Sequence, residues 1–244
     1  MIQEHTDLTT KLLDSVLSAQ SAGHLAEILW EVSDFLGASG AVFTSFNRDD
    51  DSRESYKFVV ACPASWCMEY NQNAWFMSDP CLLYAIANSE PALIQHLVGK
   101  TVGQKRMIAA AKQAGFVSGL VIPAHSPAGR SRIGVMYVGS ADAQHLNEAA
   151  LRKHRMLLRS LSCELLDWFV REEKKVLVPQ VDLKPKEIEM LQMSHRGFTS
   201  IEIASTMHLT KDAVSQSIFR AARNLGTSSR KSAANIAYRL GLFQ

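Results

Sequence analysis

The sequence predicts an α+β chain in two parts: an N-terminal α-β-α sandwich built on one antiparallel sheet, and a C-terminal four-helix helix-turn-helix domain. Three observations predict it. Short apolar strand candidates come in two pairs bracketed by amphipathic helices, the pattern of a sheet covered on both faces. Strand signals stop before Leu183, beyond which everything reads as short helices. The charge also changes sign there. Residues 183–244 hold nine Lys/Arg and four Asp/Glu, a net +5, whereas residues 1–182 hold 17 basic and 20 acidic residues, a net −3. A basic minor part on a mildly acidic major part points to one end that meets a polyanion.

Taking the elements in order, Leu25, Ile28, Leu29, Val32 and Phe35 recur at helical spacing, with Ser21 placed to cap the helix. GAVFTSF (40–46) and SYKFVVAC (55–62) read as strands joined by the polar turn NRDDDSRE. After Pro63, ASWCMEYNQ suits a short helix, and a second starts at Asp79, whose carboxylate can cap it ahead of Pro80. Residues 100–115 form a helix stopped by Gly115. FVSGLVIPAHS and RIGVMYVGS are strands around the loop SPAGRS, and a long helix runs from Asn147 to about Lys175 with Leu151, Leu158, Leu161, Leu165 and Trp168 along one side. REEKKVLVPQVD, charged and then broken by Pro179, is the best linker in the chain. The division is therefore 1–172, a 173–182 linker, and 183–244.

In the last part, Pro185 sits in the first turn of one helix and Gly197 ends it; Thr199 and Thr210 can cap the next two, and SRKSAANIAYRLG makes the fourth. Two short helices joined by a tight turn, the second longer, make a helix-turn-helix. On a wheel, Val214, Ile218, Ala221 and Leu225 of the third helix pack inward. Asp212, Gln216, Phe219 and Arg223 lie opposite, with Ser215 and Arg220 at the flanks. Gln pairs with adenine, Arg with guanine, and Ser with several base edges or phosphate. Lys211, Arg196, Arg230 and Lys231 then neutralise phosphates around the helix. The competing reading of each such residue is a solvated surface group.

The whole-chain features exclude other classes. No run of about 18 apolar residues could span a bilayer. The opening MIQEHTDLTTKLLDSV lacks a basic start and an apolar stretch, so secretion is not expected and a cytoplasmic location is. Cys62, Cys67, Cys81 and Cys163 form no CxxC pair and no zinc spacing, and fit thiols packed as small hydrophobes in a reducing compartment. Cys62, Cys67, His96 and His125 are the conceivable parts of a catalytic site, but no local motif joins them, so neither catalysis nor a bound metal is expected.

Residues 183–242 resemble the DNA-binding domain of LuxR-type transcription regulators, through Glu187, Leu191, Gly197, Thr199, Glu202-Ile203-Ala204, Leu209, Val214, Leu225, Ala233 and Gly241. The chain departs from that pattern where the family shows Thr-Val-Lys-x-His and this chain has Ala213-Val214-Ser215-Gln216-Ser217, and where Asn224 replaces a Lys. Arg220 and Arg223 stay basic, and the expectation is DNA binding with weaker backbone grip or altered sequence preference. The N-terminal part resembles the same family's signal-binding domain, through Trp66, Tyr70, Asp79-Pro80, Gly115-Phe116, Gly119 and Pro123.

In quorum-sensing members that domain encloses an N-acyl-homoserine lactone autoinducer. The resemblance implies that the Trp66 indole donates to the lactone carbonyl, that Asp79 accepts the ligand amide proton, and that Tyr70 lines the acyl channel. Indole only donates and carboxylate only accepts, so the pair would fix a ligand's orientation in an apolar cavity. Without the resemblance, Trp66 reads as core filler and Asp79 as a helix cap. Cys62 stands where the family has a Tyr, Ile94 where it has a Trp, and Tyr137 where a small hydroxyl residue is usual. Three readings of the pocket stay open: a lactone bound with altered preference, a different small molecule as in unpaired "solo" regulators, or a pocket closed by its own side chains. The expected partners are double-stranded DNA, a small-molecule signal in place of any cofactor, a second copy in a homodimer, and RNA polymerase. The alternative is a ligand-independent or anti-activator protein that forms heterodimers with a related regulator.

Overall fold

Alternation along GAVFTSFN decides which way the N-terminal sheet faces. The computed structural model of the chain describes residues 2–47, 53–126, 132–177 and 182–243. Within them the chain divides into two compact units, the described residues up to 126 with 132–169, and those from 170 on.

The first unit opens with α1 (Ile2–Ser18) and α2 (Ala22–Leu36), followed by β1 (Gly40–Asn47) and β2 (Lys57–Ala61). Helices α3 (Ala64–Gln72), α4 (Pro80–Ala87) and α5 (Val102–Gln113) come next, with the two-residue strand β3 (Ala92–Leu93) between α4 and α5. Strands β4 (Ser118–His125) and β5 (Arg132–Ser140) and the long α6 (Glu148–Leu177), up to Phe169, complete it. The five strands are antiparallel in the order β2-β1-β5-β4-β3. One register row, Val60–Val42–Tyr137–Val121–Ala92, crosses the whole sheet, and directly opposed residues share a face. On this face Val121 and Val135 pack with Phe46, Phe76, Leu82 and Ala85. The other face carries Phe43, stacked on Phe169 of α6 at 5.7 Å. There the Ser162 hydroxyl donates to the Ile122 carbonyl at 3.0 Å, and the Trp168 indole to Ala19 at 2.9 Å.

The helix caps sit where local sequence chemistry puts them. Ser21 Oγ accepts from His24 N–H, and Asp79 from Cys81 N–H. Thr101 and Gln104 make a reciprocal capping box on α5, and Gly115 leaves the chain at φ +90°. Two features differ from expectation. Helix α1 and strand β3 are additional elements; Leu12 and Val16 of α1 are fully buried, an amphipathic stripe that the polar residues around it dilute. The charged part of the predicted linker, through Leu177, continues α6, because its Glu and Lys residues are good helix formers. Its Pro-broken end, 178–181, lies outside the described residues, as do most of the NRDDDSRE turn and the SPAGRS loop.

The second unit holds α7 (Pro185–His195), α8 (Ser200–Met207), α9 (Lys211–Asn224) and α10 (Arg230–Arg239). Thr199 with Glu202 caps α8 reciprocally, and Thr210 and Ser229 cap α9 and α10. His208, in the left-handed conformation at φ 54°, turns α8 into α9. Leu191, Ala221, Ala222, Ala233 and Ala237 fill one side of the core, and Met190, Ile203, Val214 and Ile218 the other.

Candidate functional site

Between the sheet and α3–α5 the first unit leaves a cavity of about 110 Å3. One water needs about 10–15 Å3, so the space exceeds a trapped solvent molecule several-fold. Val42, Thr44, Phe58, Val60 and Tyr137 form its floor, Trp66, Cys67, Tyr70 and Asn71 of α3 one wall, and Met107, Ala111 and Phe116 another. Backbone close to the floor makes room for side chains. A Cβ on Gly139 would fall 2.0 Å from the Phe116 ring, and one on Gly119 would fall 2.7 Å from Ile94 Cδ1. These glycines let Phe116 and Ile94 lie against the strands and close the cavity. The wall is largely aromatic: Trp66 lies 5.7 Å from both Tyr70 and Trp75, and 6.0 Å from Phe116.

The polar groups concentrate on one side. The Tyr70 hydroxyl donates to Asp79 Oδ2 at 2.7 Å, and Cys81 N–H to Oδ1 at 2.7 Å. Burial raises the Asp79 carboxyl above its ordinary range, and those two hydrogen bonds oppose the rise. The Tyr137 hydroxyl is buried and has no hydrogen-bond partner among the described residues. Burial first, then the nearby Asp79 carboxylate, push its pKa well up, so it stays a neutral O–H donor. A buried donor without an acceptor costs about 1–3 kcal/mol.

Of the six sequence candidates, Trp66, Tyr70, Asp79, Ile94 and Tyr137 line the cavity. Asp79 is lining residue and helix cap at once, so its two sequence readings do not compete. Cys62 is not among the residues that line the cavity; its Sγ lies 2.8 Å from that of Cys67, which is. It follows the last residue of β2, whereas Cys67 projects from α3. Sequence reasoning missed Cys67, Phe116, Met107, Val42 and Thr44 as lining; the parity of β1 could have found the last two.

In the second unit Ser215, Gln216, Phe219 and Arg223 of α9 are exposed, as are Lys211, Lys231 and Arg196, while Val214, Ile218, Ala221 and Ala222 are buried. Two basic candidates are committed inside the unit instead. Arg220 Nε donates to Glu187 Oε1 at 2.6 Å, and that carboxylate is nearly fully buried. Arg230 donates to Ser194 Oγ at 3.1 Å, to Ser200 Oγ at 2.7 Å and to the Phe198 carbonyl, joining α10 to α7 and α8. Asn224, at a position the sequence pattern makes basic, donates to the Asp182 carbonyl at 2.6 Å and ties the entering chain to the end of α9.

Residues 21–167 match the autoinducer-binding domain family, and residues 182–237 match the luxR family of bacterial regulatory proteins. The chain belongs to the LuxR family. It is a LuxR-type transcription regulator that joins an autoinducer-binding domain to a DNA-binding domain, in a family of regulators and not of enzymes. The transcriptional activator protein VanR of Vibrio anguillarum is 21% identical over 170 residues, 69% of each chain. Among solved structures, SdiA in complex with octanoyl-rac-glycerol superposes with a TM-score of 0.76 at 16% identity, covering 98% of this chain and 96% of that one. A structure of Escherichia coli SdiA gives 0.77 at 15% identity over 98% and 99%. CepR2 of Burkholderia cenocepacia gives 0.56 at 16% identity, over 67% of this chain and 96% of its own. At such identities the structural likeness speaks for the shared fold of this LuxR-type chain. Among the described residues no helix is long and apolar enough to cross a membrane, and no cluster of three or more His, Cys, Asp or Glu residues could hold a metal ion.

Proposed function

We propose that this regulator encloses a small, mostly apolar signal molecule whose polar head carries a hydrogen-bond acceptor, and that the occupied form binds double-stranded DNA as a homodimer in the cytoplasm. The observation that carries the reading is the Tyr137 hydroxyl, a buried donor without a partner among the described residues at the floor of a mostly apolar cavity. A ligand carbonyl or hydroxyl oxygen would satisfy it. Asp79 keeps acceptor capacity beyond the bonds from Tyr70 and Cys81, and can take a ligand N–H or O–H. An N-acyl-homoserine lactone and an acyl glycerol, the ligand class named for SdiA, both offer this combination of acyl chain, carbonyl and donor. The aromatic wall from Trp66 to Phe116 suits the apolar part, with Trp66, Tyr70, Asp79, Ile94 and Tyr137 as ligand contacts. Residues 1–172 and 183–244 serve as signal and DNA domains.

For DNA, Gln216, Ser215, Phe219 and Arg223 form the base-facing side of α9, and Lys211, Lys231 and Arg196 the phosphate contacts; their exposure supports this. Arg220 and Arg230 shape the domain before they touch DNA. One helix-turn-helix reads few base pairs, so a homodimer on paired half-sites supplies the missing affinity. RNA polymerase is then the natural further partner. A ligand that binds the folded form stabilises it by mass action and shifts the population toward the DNA-binding state. A second reading, an anti-activator that heterodimerises with a related regulator, draws on the internal commitment of Arg220 and Arg230.

One experiment separates them. Purified protein is titrated with N-octanoyl-homoserine lactone and with octanoyl glycerol, reading thermal stability and salt-dependent DNA retardation. A stabilising ligand that also tightens DNA binding supports the signal-gated regulator. DNA retardation without any ligand effect refutes the gating, and no retardation on any promoter fragment favours the anti-activator.

A further inference from the structure

A pair of thiols sits at the root of α3, one wall of the cavity. Helix α3 buries no residue completely, and its N-terminal residue Pro63 offers no side-chain cap. Cys62, buried, ends the β2 segment; Cys67, half-buried, is on α3 and lines the cavity. Their sulfurs are 2.8 Å apart, and the two residues are five positions apart in sequence. A covalent S–S bond of about 2.0 Å requires less than 1 Å of further approach, within the freedom of two side-chain rotamers.

We propose that Cys62 and Cys67 form a peroxide-oxidisable dithiol whose disulfide staples the α3 wall of the cavity to the end of β2. Cys67 is the attacking sulfur. The hydrogen bond from the Cys62 thiol lowers its pKa to about 7, while Cys62 is pushed up by the same bond and by burial, so one proton is shared and the thiolate resides on Cys67. The Cys67 sulfur attacks one oxygen of hydrogen peroxide. The O–O bond breaks, the other oxygen leaves as hydroxide and takes up a proton to become water, and Cys67 becomes a sulfenic acid. The Cys62 sulfur then attacks Cys67 Sγ, the S–OH bond breaks, and the departing hydroxide takes the Cys62 proton as a second water. Two thiols lose two electrons and the peroxide gains them. Exposed Cys163 offers an internal control: packing around its sulfur, then the Asp167 carboxylate, raises its thiol pKa and removes the thiolate advantage.

Closing so short a loop adds less to global stability than closing a long one. Its effect is local. The end of α3 that presents Trp66 and Cys67 to the cavity loses its freedom to swing from the sheet, so oxidation slows exchange of a ligand through that wall. The thiol chemistry is independent of which ligand binds; the effect on exchange rests on the signal-binding reading.

The test treats full-length protein, fully reduced or exposed to graded hydrogen peroxide, and maps cysteines by mass spectrometry after alkylation. Cys67 should oxidise roughly tenfold faster than Cys163, and the product should be a Cys62–Cys67 disulfide reversed by reductant. In the Cys62→Ser variant, which lacks the resolving thiol, dimedone should trap a sulfenic acid on Cys67. Backbone hydrogen exchange across residues 64–72 should slow several-fold in the oxidised protein, in the absence of any ligand. Equal reactivity of Cys163, or over-oxidation of Cys67 without a disulfide, overturns the dithiol. A disulfide that leaves the exchange of α3 unchanged overturns the staple. Failure of both octanoyl ligands to bind the reduced protein, with these results intact, counts against the signal reading alone.

Discussion

The two units of this regulator use their interiors in opposite ways. In the DNA-binding unit the described core is closely packed: alanines at 221, 222, 233 and 237 let α9 and α10 close on Leu191 of α7, and the buried Glu187 carboxylate is satisfied by Arg220 and by the Lys184 N–H. In the signal-binding unit the sheet floor is left partly uncovered, and a phenolic hydroxyl is left without an acceptor. The difference teaches where a ligand acts. A filled interior fixes one geometry, which a base-reading helix needs. An unfilled one stores a cost that a signal can relieve.

Core truncation should separate the units most sharply. Leu191→Ala removes a fully buried side chain from the filled interior and should cost about 3 kcal/mol, read by urea denaturation. Ile94→Ala, beside an existing cavity, should cost about 1 kcal/mol, because the atoms it removes already face open space. Equal losses would break the contrast. A smaller effect should come from Arg220→Met. It strips the Glu187 carboxylate of its ion-pair partner, but Arg220 is half exposed, so solvent screening limits the loss to about 1–2 kcal/mol. Gln216→Ala, by contrast, should leave stability within about 0.5 kcal/mol and weaken sequence-selective retardation. If Arg220→Met lowers DNA affinity with no loss of stability, that arginine belongs to the DNA surface after all.

How much of this was legible beforehand follows the same divide. The helices of the C-terminal unit rest on short-range signals, with Thr199, Thr210 and Ser229 each bonding a backbone N–H three residues on, so sequence reading placed them correctly. The strands β1, β2, β4 and β5 were legible from their apolar runs, but β3, two residues long, had no period to detect. The cavity was legible in type and not in extent. Trp66, Tyr70 and Asp79 came from the resemblance to the signal-binding domain, whereas Phe116 and Met107 reach it through the packing of α5 and the strand glycines, which no local window contains. The bonds that Arg220 and Arg230 make inside the unit were not legible for a related reason: a wheel shows which side a residue faces but not the carboxylate or hydroxyl that a neighbouring helix brings to it.

Tyr137→Phe tests the stored cost directly. Removing the unpartnered hydroxyl should stabilise the ligand-free signal unit by about 1 kcal/mol and weaken an acceptor-bearing ligand by about 0.5–1.5 kcal/mol. A destabilised free protein would mean the hydroxyl already has a partner, and the unit's interior would be no less complete than its neighbour's.

The smallest effect expected is a pH slope. Burial raises the Asp79 pKa above its unfolded value of about 3.9. Between those two values the folded protein binds more protons than the unfolded chain, so stability falls as pH rises through the window. Below it both states are protonated and the difference vanishes; above the folded pKa the penalty is complete. Asp79→Asn keeps an oxygen for the Cys81 N–H, turns its NH2 toward the Tyr70 hydroxyl oxygen, which can accept from it, and cannot ionise. The melting temperature of the wild type relative to the variant should therefore drop from acid to neutral pH. The drop is small because the Tyr70 and Cys81 bonds favour the charged form and offset part of the burial penalty. A difference that instead grew in favour of the wild type with rising pH would mean these two bonds outweigh burial, and the polar side of the cavity would then be as settled as the core around Leu191.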